Sequence, residues 1–322
     1  MVTSFENFNK LSDKEISEIV IEKLSGNNTI VYAFDGSTFK LNSNNENDME
    51  NIDQCSTAMA PNVSINKLLY DLVMMCQHGI KTICVPMWCD KIEDKSSDYL
   101  SYFIQYLQGL SELLENEQLV KMYKETNIRV IFYGDFKLLL KHCNALELLN
   151  KFELIMEQTK NNTNHTILLG TNIEEPSETI INNIISFYNL NGNVKPTSID
   201  LIKQYYGVMV DQVSLYLGSH KFTTQGRPIL ICDKGNEDLY YSIGSHEYLS
   251  KNGFRKVLFD KLFCRKVANA KEYQLKIHDI KMMKQFYLNN CENVMGVGNV
   301  NPNGNYWYPD PQVILPSVDG AN

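Results

Sequence analysis

The chain contains no apolar run approaching the roughly 20 residues needed to cross a bilayer. Its first residues, Met1-Val2-Thr3-Ser4-Phe5-Glu6, lack the basic and apolar regions of a secretory signal. Together these absences lead us to expect a cytoplasmic protein with no transmembrane segment. An excess of positive charge is missing too: 30 Lys and Arg against 38 Asp and Glu leave a net charge of -8. That balance argues against nucleic acid or an anionic membrane as partner. The eight cysteines include no C-x-x-C pair, so reduced, buried thiols are expected rather than a zinc site or a disulfide framework. The glycosylation-type Asn motifs carry no weight without a secretory signal.

What is present is an alternation of strand-like and helix-like segments along 322 residues, enough chain for one large or two modest domains. The organising stretch is Ile30-Val31-Tyr32-Ala33-Phe34-Asp35-Gly36-Ser37-Thr38. A β-branched and aromatic run ends abruptly in a carboxylate, a glycine and two hydroxyls. It reads as a buried strand that delivers Asp35 to the C-terminal edge of an α/β sheet, where ligands bind. Asp-Gly-Ser-Thr also suits a plain turn followed by a helix cap.

Helical patterns are expected over residues 13–25 with Ser12 as cap, 64–78 closed by Gly79, 99–115, 145–159, 177–188 and 197–205. Further strands are expected at 81–88, 128–135, 166–170, 212–217 and Ile229–Cys232, while 239–241 and 257–259 are ambiguous. The Asn-rich stretch 42–53 reads as a loop beside the site. The fold class expected is α/β, a mostly parallel sheet of about six strands surrounded by helices. An N-terminal helical segment (1–27) would precede a catalytic domain (28–281). An irregular Asn-, Pro- and Gly-rich tail would follow (282–322), docked by Trp307 and Tyr308.

Several short motifs, in order, carry a resemblance. They are Phe34-Asp35-Gly36, His78-Gly79-Ile80-Lys81, Ile128 through Gly134-Asp135, Thr171-Asn172, and Asn236 through Tyr241. The stretch 28–265 resembles the cis-prenyltransferases, the family of undecaprenyl and dehydrodolichyl diphosphate synthases. The resemblance implies a hydrophobic tunnel for an isoprenoid chain, a homodimer, and Mg2+ as cofactor for an allylic isoprenoid diphosphate substrate. Asp35 matches the first-strand aspartate, and Asp238, before Leu239-Tyr240-Tyr241, matches the late acidic metal ligand. These two are the expected catalytic and metal residues.

The departures matter as much. Where the family has Asn and Arg after Asp-Gly, this chain has Ser37, Thr38, Phe39 and Lys40, and an ammonium cannot reproduce a bidentate guanidinium. The paired arginines for isopentenyl diphosphate are replaced by His220, Lys221 and Arg227 in changed spacing. Each lost charge-assisted bond to a phosphate forfeits about 1.5–3 kcal/mol. Gly36, Ser37, Thr38, Lys40, His220, Lys221 and Arg227 are therefore the expected diphosphate ligands. Phe34, Trp88, Phe103, Tyr106 and Asn172 are the expected pocket residues. The favoured expectation is an allylic diphosphate ionised with magnesium, its carbocation cyclised, rearranged or captured by water to give a terpene. Condensation of two isoprenoid diphosphates and a non-catalytic subunit of a prenyltransferase complex remain as alternatives.

Overall fold

The structure, a computed structural model, describes residues 4–34, 61–87, 97–219, 222–224, 226–232, 235–244, 246, 249–265, 276–300 and 307–310. Two short helices open it, α1 (Phe5–Asn9) and α2 (Asp13–Lys23). Ser12 caps α2 in a reciprocal box with Glu15, so the start expected from sequence is satisfied chemically. Strand β1 (Thr29–Tyr32) is buried along its whole length, which is why its sequence is a continuous apolar run rather than an alternation. There follow α3 (Pro61–Gln77), β2 (Thr82–Pro86), α4 (Ser97–Leu110), α5 (Glu117–Thr126), β3 (Ile128–Tyr133), α6 (Phe136–His142), α7 (Leu146–Thr159) and β4 (His165–Gly170). The remainder comprises α8 (Pro176–Leu190), α9 (Ser198–Tyr206), β5 (Val213–Ser219), β6 (Asp238–Ser242), α10 (Lys251–Phe259), α11 (Ile277–Asn289), and the pair β7 (Gly298–Val300) and β8 (Trp307–Pro309).

The first six strands form one parallel sheet in the order β3-β4-β2-β1-β5-β6. β1 is thus central, and its side chains alternate between two cores. Ile30 and Tyr32 join the larger one, under α2, α3, α4, α7 and α10, while Val31 joins a smaller one under α9 and residues 230–232. Phe8, Ile16 and Val20 belong to the larger core, so α1 and α2 pack on the sheet domain. Gly79 turns the chain from α3 into β2 at φ +90°, and a Cβ there would stand 2.7 Å from the Ser17 carbonyl. Only glycine fits that conformation and that contact.

Several local expectations change. Ile229–Cys232 is a turn, closed by Ile231 N–H donating to the Pro228 carbonyl; it is apolar because it covers the smaller core, and hydropathy reports burial rather than conformation. The sixth strand is instead β6. Residues 257–259 are helical, within α10. Helices α5 and α6 fill stretches where no element was expected. The stretch after Met282 continues as α11 to Asn289, and Trp307 and Tyr308 pair with β7 in a small antiparallel sheet.

Candidate functional site

The C-terminal edge of β1 and β5 gathers an unusual set of polar side chains into the larger core. Tyr32, the last residue of β1, is fully buried, and its hydroxyl donates to Asp71 Oδ2 of α3 at 3.3 Å. Lys67, one turn earlier on α3, pairs with Asp71 and also donates to the Leu249 carbonyl at 3.1 Å. Burial pushes the Asp71 carboxyl up to about 6, against the opposing pull of Lys67 and Tyr32. The Tyr32 hydroxyl is likewise held well above its ordinary value by burial first and then by the Asp71 charge.

His246, also buried, stands edge-on to Tyr32 with ring centroids 4.9 Å apart and tilted against Phe34 at 5.2 Å. Its Nδ1 lies 3.3 Å from Ser219 Oγ, at the end of β5. Leu217 pairs with Tyr32 across the ladder, so Ser219 and Phe34, each two residues further on, reach the same level. Tyr106 of α4 faces Phe34 at 6.4 Å, and Phe103 is buried on the same helix. Aromatic faces beside a buried carboxylate suit positive charge developing on carbon.

Of the residues expected from sequence, the structure brings Phe34, Phe103 and Tyr106 into this one core. Asp35, Gly36, Ser37, Thr38, Lys40, Trp88, His220 and Lys221 lie outside the described residues. Three others take a different place. Asp238 opens β6, as its place before Leu239-Tyr240-Tyr241 implied: it pairs with Leu215, which pairs with Ile30. Four residues of strand rise therefore set it about 13 Å below the level of Phe34. Its carboxylate accepts from Lys261 Nζ at 2.5 Å and Arg265 Nη1 at 3.3 Å. Asp35, with which it was expected to share a metal site, lies outside the described residues. Among the described residues, no group of three or more His, Cys, Asp or Glu stands close enough to hold a metal ion.

Arg227, expected on a diphosphate, is engaged internally: Nη2 lies 2.5 Å from Glu237 and donates to the Cys232 carbonyl at 2.8 Å. A guanidinium already neutralised by a carboxylate that is itself buried has little charge left for an incoming anion. Asn172 occupies a left-handed turn after β4 (φ +55°), where its carbonyl accepts from Asp135 N–H at 3.0 Å. It joins the exits of β3 and β4, a backbone role that Asn tolerates.

Sequence reasoning missed Lys67, Asp71, Ser219 and His246. The signal for the first two was legible: an i, i+4 Lys and Asp interrupt the apolar stripe Leu68, Leu69, Leu72 and Val73. His246 stands in no motif, and only the fold brings it to Phe34.

Comparison with known proteins bears on the fold that carries this site. No protein-family model matches the chain. It is 27% identical over 303 residues to a tuberculosinyl adenosine transferase from Mycobacterium tuberculosis, across 91% of this chain and 97% of that protein. Its structure is similar to a probable undecaprenyl diphosphate synthase from Campylobacter jejuni, with TM-score 0.50 and 14% identity over 62% of this chain and 89% of that one. It is also similar to lavandulyl diphosphate synthase from Lavandula x intermedia, solved with dimethylallyl diphosphate. There the TM-score is 0.52 and the identity 11%, over 73% of this chain and 95% of that one. The chain has the cis-prenyltransferase fold.

Proposed function

We propose that the chain is an enzyme that ionises an allylic prenyl diphosphate with magnesium and passes the prenyl group to an acceptor that carries no diphosphate. The observation that carries this reading is the Arg227–Glu237 pair. Where a second isoprenoid diphosphate would need guanidinium charge, this chain supplies a neutralised one. The likeness to a transferase whose name specifies a nucleoside acceptor supports the same conclusion, and adenosine is the acceptor we propose.

In this reading Asp35 holds magnesium together with diphosphate oxygens, the usual ligand set for that ion. Magnesium, when bound, offsets the charge of the leaving diphosphate. Gly36, Ser37, Thr38, Lys40, His220 and Lys221 bind the diphosphate, and the prenyl chain lies in a tunnel on the α3–α4 face of the sheet. Phe34 and Tyr106 face the developing cation, while Asp71, through Tyr32, keeps His246 in place beside them. The aromatic wall supports a second outcome at the same site: without acceptor, the cation cyclises, rearranges or takes water, giving a terpene. A homodimer is part of the proposal, because α8 exposes Ile181, Ile185 and Tyr188 along one stripe.

The test is incubation with geranyl, farnesyl or geranylgeranyl diphosphate, with and without magnesium, adenosine and isopentenyl diphosphate. Diphosphate release and organic products are then measured. Magnesium-dependent release without isopentenyl diphosphate, with prenylated nucleoside when adenosine is present, is expected. Longer diphosphates formed only with isopentenyl diphosphate would overturn the reading in favour of chain elongation, and no release under any condition would leave a non-catalytic subunit.

A further inference from the structure

Helices α1, α2, α3 and α10 meet at a buried histidine that the chemistry above does not use. His78 follows the last turn of α3 and is fully buried. Its Nδ1 lies 2.8 Å from the Met74 carbonyl, and its Nε2 lies 3.1 Å from Arg255 Nε on α10. A carbonyl only accepts and a guanidinium only donates. Nδ1 therefore carries the proton and Nε2 accepts, which fixes one tautomer of a neutral ring. Arg255, supported by that acceptor, donates onward through Nη1 to the Asn9 carbonyl at the end of α1 and through Nη2 to Asp13 at the start of α2, both at 2.6 Å. The imidazole is thus the inner support of the guanidinium that ties the α1–α2 junction to α10.

Three charged groups face the ring among the described residues. Arg255 and Lys251 approach from α10, and Asp13 approaches from α2 with Oδ1 3.5 Å from Nε2. Asp13 favours a charged ring, but it is already paired with Lys251 and Arg255, each at 2.6 Å. Burial above all holds the imidazole below its ordinary 6.5; the Met74 carbonyl and Asp13 oppose it, and Arg255 and Lys251 add to it. A proton on Nε2 removes the acceptor of Arg255 Nε–H and sets an imidazolium against a guanidinium inside the core. The ring accepts a proton more readily with the junction open than closed. The closed form is therefore fully favoured above pH 6.5 and loses ground as the pH falls below that value.

We propose that His78 is an acid-sensitive latch: the neutral ring holds Arg255 against the α1–α2 junction, and its protonation frees that junction from α10 while the sheet stays folded. Phe8, Ile16 and Val20, seated in the larger core, confine the opening to the junction. The latch is independent of the prenyl-transfer reading.

Hydrogen exchange of the full chain tests it, read by mass spectrometry between pH 7.5 and 5 and corrected for the intrinsic pH dependence of exchange. Protection of the amides over residues 8–16 is expected to fall about 5- to 30-fold at pH 5, the upper value being the extent to which an open ring of ordinary pKa takes up protons there. Amides of β1 to β5 are expected to show no such fall. His78→Gln keeps a donor and an acceptor but does not titrate, so its protection over residues 8–16 is expected to stay level within about twofold. Thermal unfolding at pH 7.5 checks that this variant folds. No fall in the wild type, or an equal fall over the sheet and the junction, would overturn the latch without recourse to a variant. A folded His78→Gln protein with the wild-type fall would overturn it too.

Discussion

Asp71 offers the sharpest perturbation, because its carboxylate is buried in the core yet ionised at neutral pH. Burial raises its pKa from the ordinary 3.8 to about 6, so the folded state binds the proton more tightly than the unfolded chain does. Stability therefore falls as pH rises from about 4 to 6, and the loss is complete above that window. At about 1.36 kcal/mol per pH unit, ionised Asp71 costs the fold about 3 kcal/mol. Asp71→Asn removes the charge and keeps an acceptor for Tyr32. Lys67, whose side chain is 33% exposed, can turn to water.

The variant should match the wild type near pH 4 and exceed it by about 3 kcal/mol above pH 7. Urea unfolding of both proteins across this range measures the difference. A carboxylate that costs stability beside the strand edge is a functional candidate, so the same variant should lose roughly 10- to 100-fold in diphosphate release through misplacement of Tyr32 and His246. A difference independent of pH, or a variant less stable than the wild type at pH 7.5, would refute the reasoning and leave Asp71 as an ordinary structural ion pair.

Three further outcomes follow from the packing. Arg255 is buried and donates to His78 Nε2 at 3.1 Å, the Asn9 carbonyl at 2.6 Å and Asp13 at 2.6 Å. Arg255→Met should cost about 3–5 kcal/mol in denaturant unfolding and detach α1 first, seen as early proteolysis near residue 10. Gly79→Ala forces a Cβ against the Ser17 backbone at positive φ and should cost about 2 kcal/mol or more, read as a lowered Tm. Asp238→Asn should cost about 1 kcal/mol and leave diphosphate release within about threefold, whereas Asp35→Asn should lower release at least about a hundredfold. Equal losses from both would restore Asp238 to the site.

The local elements were largely legible in the sequence because their causes are local. The capping box at Ser12 and Glu15 and the turn at Gly79 stand within a few residues of what they control. The apolar runs of β1 to β5 do so too, and the resemblance of 28–265 to the cis-prenyltransferases already implied the fold. Where hydropathy alone had to choose, it failed: Ile229–Cys232 and Asp238–Ser242 exchange roles, because the first is a buried turn and the second a half-exposed edge strand.

The site followed the same division. The sequence by itself determined that a carboxylate and hydroxyls follow a buried strand, and that the expected arginines are absent. Only the tertiary structure decided that Asp71 meets Tyr32 across 39 residues and that His246 meets Ser219 across 27. It likewise decided that Arg227 is neutralised by Glu237. Those meetings depend on β1 and β5 lying side by side at the centre of the sheet and on α3 crossing one face of it. Strand order is set by the collective burial of both faces, which no single stretch of sequence encodes.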